Sequence, residues 1–157
     1  MVERKGRVVM ATGVFDILHP GHLHYLQKSK EFGDWLVVVV ATDRTVIKRK
    51  NHVPITPEKM RLEMISALKV VDEAYIGSNK DPYEIVEKVR PDVITLGYDQ
   101  QHDEEKLRAE LKKRGIEAEI HRVGKFDDDL DGTRKIIAKV IEAYIFQQKI
   151  ERMEGRK

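Results

Sequence analysis

Cysteine is absent from all 157 residues. Its absence excludes a disulfide framework, thiolate metal ligands and a thiol nucleophile together. Aromatic residues make up 6% of the chain, with one tryptophan, so the core must be built chiefly from aliphatic side chains. Five prolines and ten glycines are too few for a low-complexity or linker-like chain. No apolar run reaches membrane-spanning length, and the opening Met-Val-Glu-Arg-Lys-Gly is not followed by the apolar stretch of a secretory signal. The expectation is a cytoplasmic protein that does not engage a membrane. An excess of one charge is lacking too. Against 29 Lys and Arg stand 27 Asp and Glu, a net +2 that argues against a chain coating nucleic acid.

Charge of both signs is abundant. At 36% of residues it exceeds the roughly 25% usual for soluble domains, an enrichment common where ion-pair networks act at high temperature. The length suits one domain with its own core. Residues 1–150 read as that domain and 151–157 as a polar tail.

Apolar periodicity alternates between strand and helix along the whole chain. Arg7–Thr12 reads as a buried strand, followed by a turn and a helix whose stripe runs from Leu23 to Phe32. Trp35–Ala41 is a β-branched run of the kind found in strands buried on both faces. Residues 41–50 read as a basic loop. Pro57 opens a helix with Met60, Met64, Ile65 and Leu68 at helical spacing and Thr56 as its N-cap. Strands at 73–76, 92–96 and 116–123 alternate with helices at 81–89, 103–114 and 132–146, with Pro82 placed at a helix N1. This pattern predicts an α/β, Rossmann-like, doubly wound parallel sheet of five strands with helices on both faces. Ligands of such sheets bind at the carboxyl ends of the strands.

The turn after the first strand reads Gly13-Val14-Phe15-Asp16-Ile17-Leu18-His19-Pro20-Gly21-His22. Pro20 suits N1 of the following helix, and the unpaired amides of that helix start make an anion site. Two imidazoles, His19 and His22, each bring a ring N–H donor. The basic residues 44–50 sit at the same end of the predicted sheet, where Lys48 and Lys50 are candidates for a substrate phosphate. Arg61 is a further candidate, with an ordinary surface ion pair as its alternative. Leu96-Gly97-Tyr98-Asp99-Gln100 closes the fourth strand, and Asp99 is open to a nucleoside contact or a turn-stabilising role. Thr133 and Arg134 open the last helix. Asp127, Asp128, Asp129 and Asp131 lack the spacing of a calcium loop. His22 and His24, two apart on a helix, do not face one zinc ion. No protein-held metal site is expected.

The strand, the Gly-x-Phe-Asp turn and the His-Pro-Gly-His helix start together resemble the nucleotidyltransferase superfamily marked by a His-x-Gly-His motif. Over residues 7 to about 142 the resemblance is closest to the archaeal-type FAD synthases, on Thr-Gly-Val-Phe-Asp-Ile-Leu-His-Pro-Gly-His, the Pro-Glu helix with Arg61, Leu-Gly-Tyr-Asp-Gln and Lys-Lys-Arg-Gly-Ile. It implies transfer of an adenylyl group from ATP to FMN with release of pyrophosphate and with Mg2+ carried on the nucleotide. By the same resemblance His19, His22 and Lys48 are catalytic. Gly13, Val14, Phe15, Asp99, Thr133 and Arg134 bind the nucleotide, and Lys48, Lys50 and Arg61 bind the substrate phosphate. Glycerol-3-phosphate cytidylyltransferases, which use CTP, share the core motifs, but their Arg-Thr-Glu-Gly-Ile-Ser-Thr-Thr segment is not found. The chain also departs from the Ser/Thr cluster that many members carry where Gly132-Thr133-Arg134 stands, which leaves open a non-catalytic nucleotide-binding module. The resemblance implies a homodimer as well, and Tyr144, Ile145 and Phe146 serve either packing or association.

Overall fold

The computed structural model describes residues 6–126 and 132–155. Five strands, β1 (Val8–Gly13), β2 (Trp35–Val40), β3 (Glu73–Ile76), β4 (Val93–Leu96) and β5 (Glu119–Arg122), alternate with helices α1 (Pro20–Lys30), α2 (Asp43–Lys50), α3 (Glu58–Ser66), α4 (Glu84–Val89), α5 (Glu104–Lys113) and α6 (Thr133–Met153). The sheet is parallel throughout, in the order β3-β2-β1-β4-β5. The fold is the doubly wound one expected. Its crevice falls between β1 and β4, where the winding reverses direction.

Strand alternation sends Val9 and Ala11 to one face, where they pack with Leu26 of α1 and Ile65 of α3. Met10 goes to the other, against Val86 of α4 and Leu111 of α5. At the amino ends three aspartates fix the register. Asp34 Oδ2 accepts from Arg7 N, Asp72 Oδ2 from Leu36 N and Asp92 Oδ2 from Val8 N, each at 2.7–2.8 Å. Each aspartate immediately precedes a strand or its first residue, and each bonds the neighbouring strand. A Cβ on Gly33 would stand 2.5 Å from the Arg7 carbonyl, so glycine is required where the chain returns beside β1.

Residues 41–50 are not a loop. Thr42 Oγ1 accepts from Thr45 N at 3.0 Å, Asp43 occupies the first turn and the basic Lys48, Arg49 and Lys50 fill the last, an arrangement matched to the helix dipole. Thr56 does not cap α3, because the helix starts at Glu58 with Pro57 in the N-cap position; Asp43 Oδ2 accepts from Glu58 N instead. The final helix continues past Phe146 to Met153, and β5 starts at Glu119 rather than Ile116. The acidic run 127–131 lies outside the described residues. Among the described residues no helix is long and apolar enough to cross a membrane.

Beyond Ala11 and Thr95, β1 and β4 are bridged by Tyr25. Its hydroxyl donates to Thr95 O at 2.9 Å and accepts from Thr12 N at 3.3 Å, and burial pushes the phenol up to about 12. Tyr25→Phe leaves those buried groups unpaired and is expected to cost about 1–3 kcal/mol, read from denaturant midpoints against the wild type.

Candidate active site

The turn between β1 and α1 is strained and tightly held. Phe15 and Ile17 take positive φ values of 56° and 49°, a conformation that costs a non-glycine residue about 1–3 kcal/mol. Four contacts from distant parts of the chain hold it. Arg61 donates to Val14 O at 2.6 Å. The buried Asp16 carboxylate accepts from the amides of Ile55 and Thr56 at 2.8 and 2.9 Å. Thr133 Oγ1 donates to Asp16 O at 2.5 Å. The Phe15 ring lies over Gly13, where a Cβ would come within 2.8 Å of it. Asp16 is therefore occupied by backbone amides and holds the turn together.

This turn delivers both imidazoles to one place. His19 is the N-cap of α1, and its Nδ1 accepts from Gly21 N at 3.1 Å, so in the neutral ring the proton sits on Nε2. His22 stacks on His19 with ring centroids 3.7 Å apart, and the edge of Phe15 backs it at 5.5 Å. His22 Nδ1 is buried without a partner in the protein, which favours the same Nε2–H tautomer. Burial first, then the neighbouring His19, push its pKa down to about 3; the Asp16 carboxylate opposes this and Lys50 adds to it. The two imidazoles thus stand together at the start of α1, where the amides of Gly21, His22 and Leu23 are already bonded to His19, so the ring N–H groups are the donors left to meet an oxyanion such as a phosphate.

The last turn of α2 places Lys48 and Lys50 in solvent, and the charge of Lys50 reaches His22. Arg61 does not join them as an open phosphate ligand. It is fully buried, and besides Val14 O it donates to Thr56 O at 2.8 Å and pairs with Asp43 Oδ1 at 2.7 Å. The interior wins this arginine because the carbonyls of a strained turn and a helix-capping aspartate converge there. Opposite, Asp99 is exposed on the turn after β4. Gln100 Nε2 donates to Thr12 O at 2.7 Å, and Arg122 donates to the carbonyls of Gly97 and Gln100, both at 2.8 Å. Thr133 reaches the turn as described, and Arg134 is exposed one residue further on. Sequence reasoning missed Asp43, Gln100 and Arg122 as supports. Only the Thr-Asp pair after β2 carried a local signal, that of a helix start. Among the described residues no group of three or more His, Asp or Glu is placed to hold a metal ion.

With this geometry in view, the cytidylyltransferase-like family matches residues 10–151. A protein of Aciduliprofundum boonei named FAD synthase is 53% identical over 135 residues, 85% of this chain and 90% of its own length. One of Methanobrevibacter ruminantium, also named FAD synthase, is 55% identical over 140 residues, 84% of this chain and 90% of its own length. A solved structure from Thermoplasma volcanium, described as a lipopolysaccharide core biosynthesis protein, superposes with a TM-score of 0.75 at 52% identity, covering 78% of this chain and all of its own.

The depressed His22 pKa sets a pH dependence. A histidine at about 3 when folded and about 6.5 when unfolded contributes stability above pH 6.5 that is lost as pH falls towards 3. Between pH 8 and pH 5 the wild type is expected to lose about 2 kcal/mol more than His22→Gln, measured by denaturant unfolding at both values. Equal losses would show that His22 is not held neutral.

Proposed function

The chain belongs to the cytidylyltransferase-like family, and on that premise we propose that it is an FMN adenylyltransferase, an FAD synthase. The observation that carries this reading is identity above one half to proteins named FAD synthase over some 85% of the chain. Those names favour adenylyl transfer to FMN over cytidylyl transfer to glycerol phosphate.

In this reading the triphosphate of Mg·ATP lies across the amino end of α1. The Nε2–H groups of His19 and His22 donate to oxygens at the α- and β-phosphates, where negative charge grows in the transition state. Gly13, Val14 and Phe15 line the nucleoside side, with Asp99 at the ribose and base. Lys48 and Lys50 draw in the acceptor phosphate, and Arg134 holds the leaving pyrophosphate. An oxygen of the FMN phosphate attacks the α-phosphorus in line, the bond to the bridging oxygen of the β-phosphate breaks, and pyrophosphate departs. The attacking phosphate is already ionised at neutral pH, so positioning and charge stabilisation suffice without a base. Among the described residues no carboxylate cage is placed for a metal, and magnesium would be held by the nucleotide phosphates and water. A cytoplasmic location accords with ATP and FMN as substrates.

Purified protein given Mg·ATP and FMN is expected to release pyrophosphate and form FAD, identified by mass. His22→Ala is expected to lose turnover by about 100-fold or more. Formation of CDP-glycerol from CTP and glycerol 3-phosphate instead would replace this reading, and unchanged turnover in the variant would remove His22 from the chemistry.

We also propose a homodimer. No residue of α6 is buried, although Val140, Ile141, Tyr144, Ile145, Phe146 and Ile150 lie on it. An apolar helix of this length requires cover. Light scattering is expected to give twice the chain mass, and Phe146→Glu to give a monomer.

A further inference from the structure

The connection from α2 to α3, residues 51–56, is apolar where such a connection is ordinarily polar. Val53 is 68% exposed and Ile55 66% exposed. The segment is also fixed in place. Asn51 ends α2 in the left-handed conformation with its amide on Ile47 O, and the amides of Ile55 and Thr56 are bound by the Asp16 carboxylate. That carboxylate belongs to the turn that carries His19 and His22, so the segment is bound directly to the turn of the candidate anion site. Pro54 restricts Val53 to extended backbone, and residues two apart in an extended stretch share a side. Pro54 between them is buried while both are exposed, so two stiff β-branched side chains face solvent on a segment tied to the histidine turn.

The neighbourhood of that turn has two characters. On α2, Lys48 and Lys50 suit an acceptor's phosphate; on the strap, Val53 and Ile55 suit an apolar body attached to that phosphate. A glycerol body is polar and gains nothing from such a surface, whereas a planar ring system gains the transfer energy of the area it covers. We propose that Val53 and Ile55 are specificity-determining residues, forming the platform on which the ring of the acceptor packs. This rests on the reading of FMN as acceptor. A loosely held loop would lose part of that gain to ordering; the tether to Asp16 removes that loss in advance.

The test is the double variant Val53→Ser/Ile55→Ser. Both side chains are largely exposed, so the fold should survive, which far-UV circular dichroism checks. Flavin fluorescence quenching reads the affinities for FMN and for riboflavin, which keeps the ring and lacks the phosphate. Both dissociation constants are expected to rise about tenfold or more. The KM for ATP and the mass by light scattering are expected to stay as in the wild type. Unchanged flavin affinity in a variant of a protein that makes FAD overturns the platform and leaves the adenylyltransferase reading intact. A fall to half the mass also overturns it, assigning the strap to contact with a second copy. A wild type that neither binds FMN nor forms FAD overturns the acceptor reading, and the platform with it.

Discussion

The site depends on how one strained turn is held. Phe15 and Ile17 sit in a backbone region that their side chains disfavour, and a free peptide of this sequence would leave it. The turn keeps its shape because Arg61 binds Val14 O, the Asp16 carboxylate binds the amides of Ile55 and Thr56, and Thr133 binds Asp16 O from the start of α6. Three separate elements are thereby tied to a single point. Arg61 is also tied to Asp43, which caps α3 while Glu58 accepts from the amide of Asp43 in return. A displacement of α2 or α3 is therefore felt at the histidines.

That rigidity is consistent with a reaction whose catalysis is positional. A neutral His22 presents its N–H donor without adding like-charge repulsion to the His19 ring stacked on it. Had both been charged, a centroid separation of 3.7 Å would be strongly unfavourable. Burial of His22 against Phe15 keeps it neutral, and the basic last turn of α2 supplies positive charge from a solvated distance instead. Formal charge at the periphery and oriented N–H donors at the centre suit the polyanion of the proposed reaction.

Much of the fold was legible in the sequence. The β-branched run at 35–40 and the alternation of short strands with helical stripes specify a doubly wound sheet, and the Gly-Val-Phe-Asp and His-Pro-Gly-His signals place its ligand end. Helix α2 was misread as a loop because its composition is basic and nearly free of core residues, with only Val46 buried. Its cap signals, Thr42 before it and Asn51 after it, were present but outweighed by charge. Thr56 carries the composition of a cap, but the helix begins one residue too late for it, and Asp43, 15 residues before Glu58, accepts from the helix's first amide instead.

The sequence by itself determined which residue types could meet an anion and on which edge of the sheet they stand, since strand and helix periods and a proline at N1 are properties of short stretches. Only the tertiary structure decided that Arg61 is an internal clamp and not a phosphate ligand, that Asp16 is a tether, and that the segment with Val53 and Ile55 is tied to the histidine turn. Those assignments rest on contacts between residues 39 to 117 positions apart. Such pairs are brought together only when the crossovers of the sheet close, and no local pattern encodes which distant carbonyl or carboxylate will be waiting.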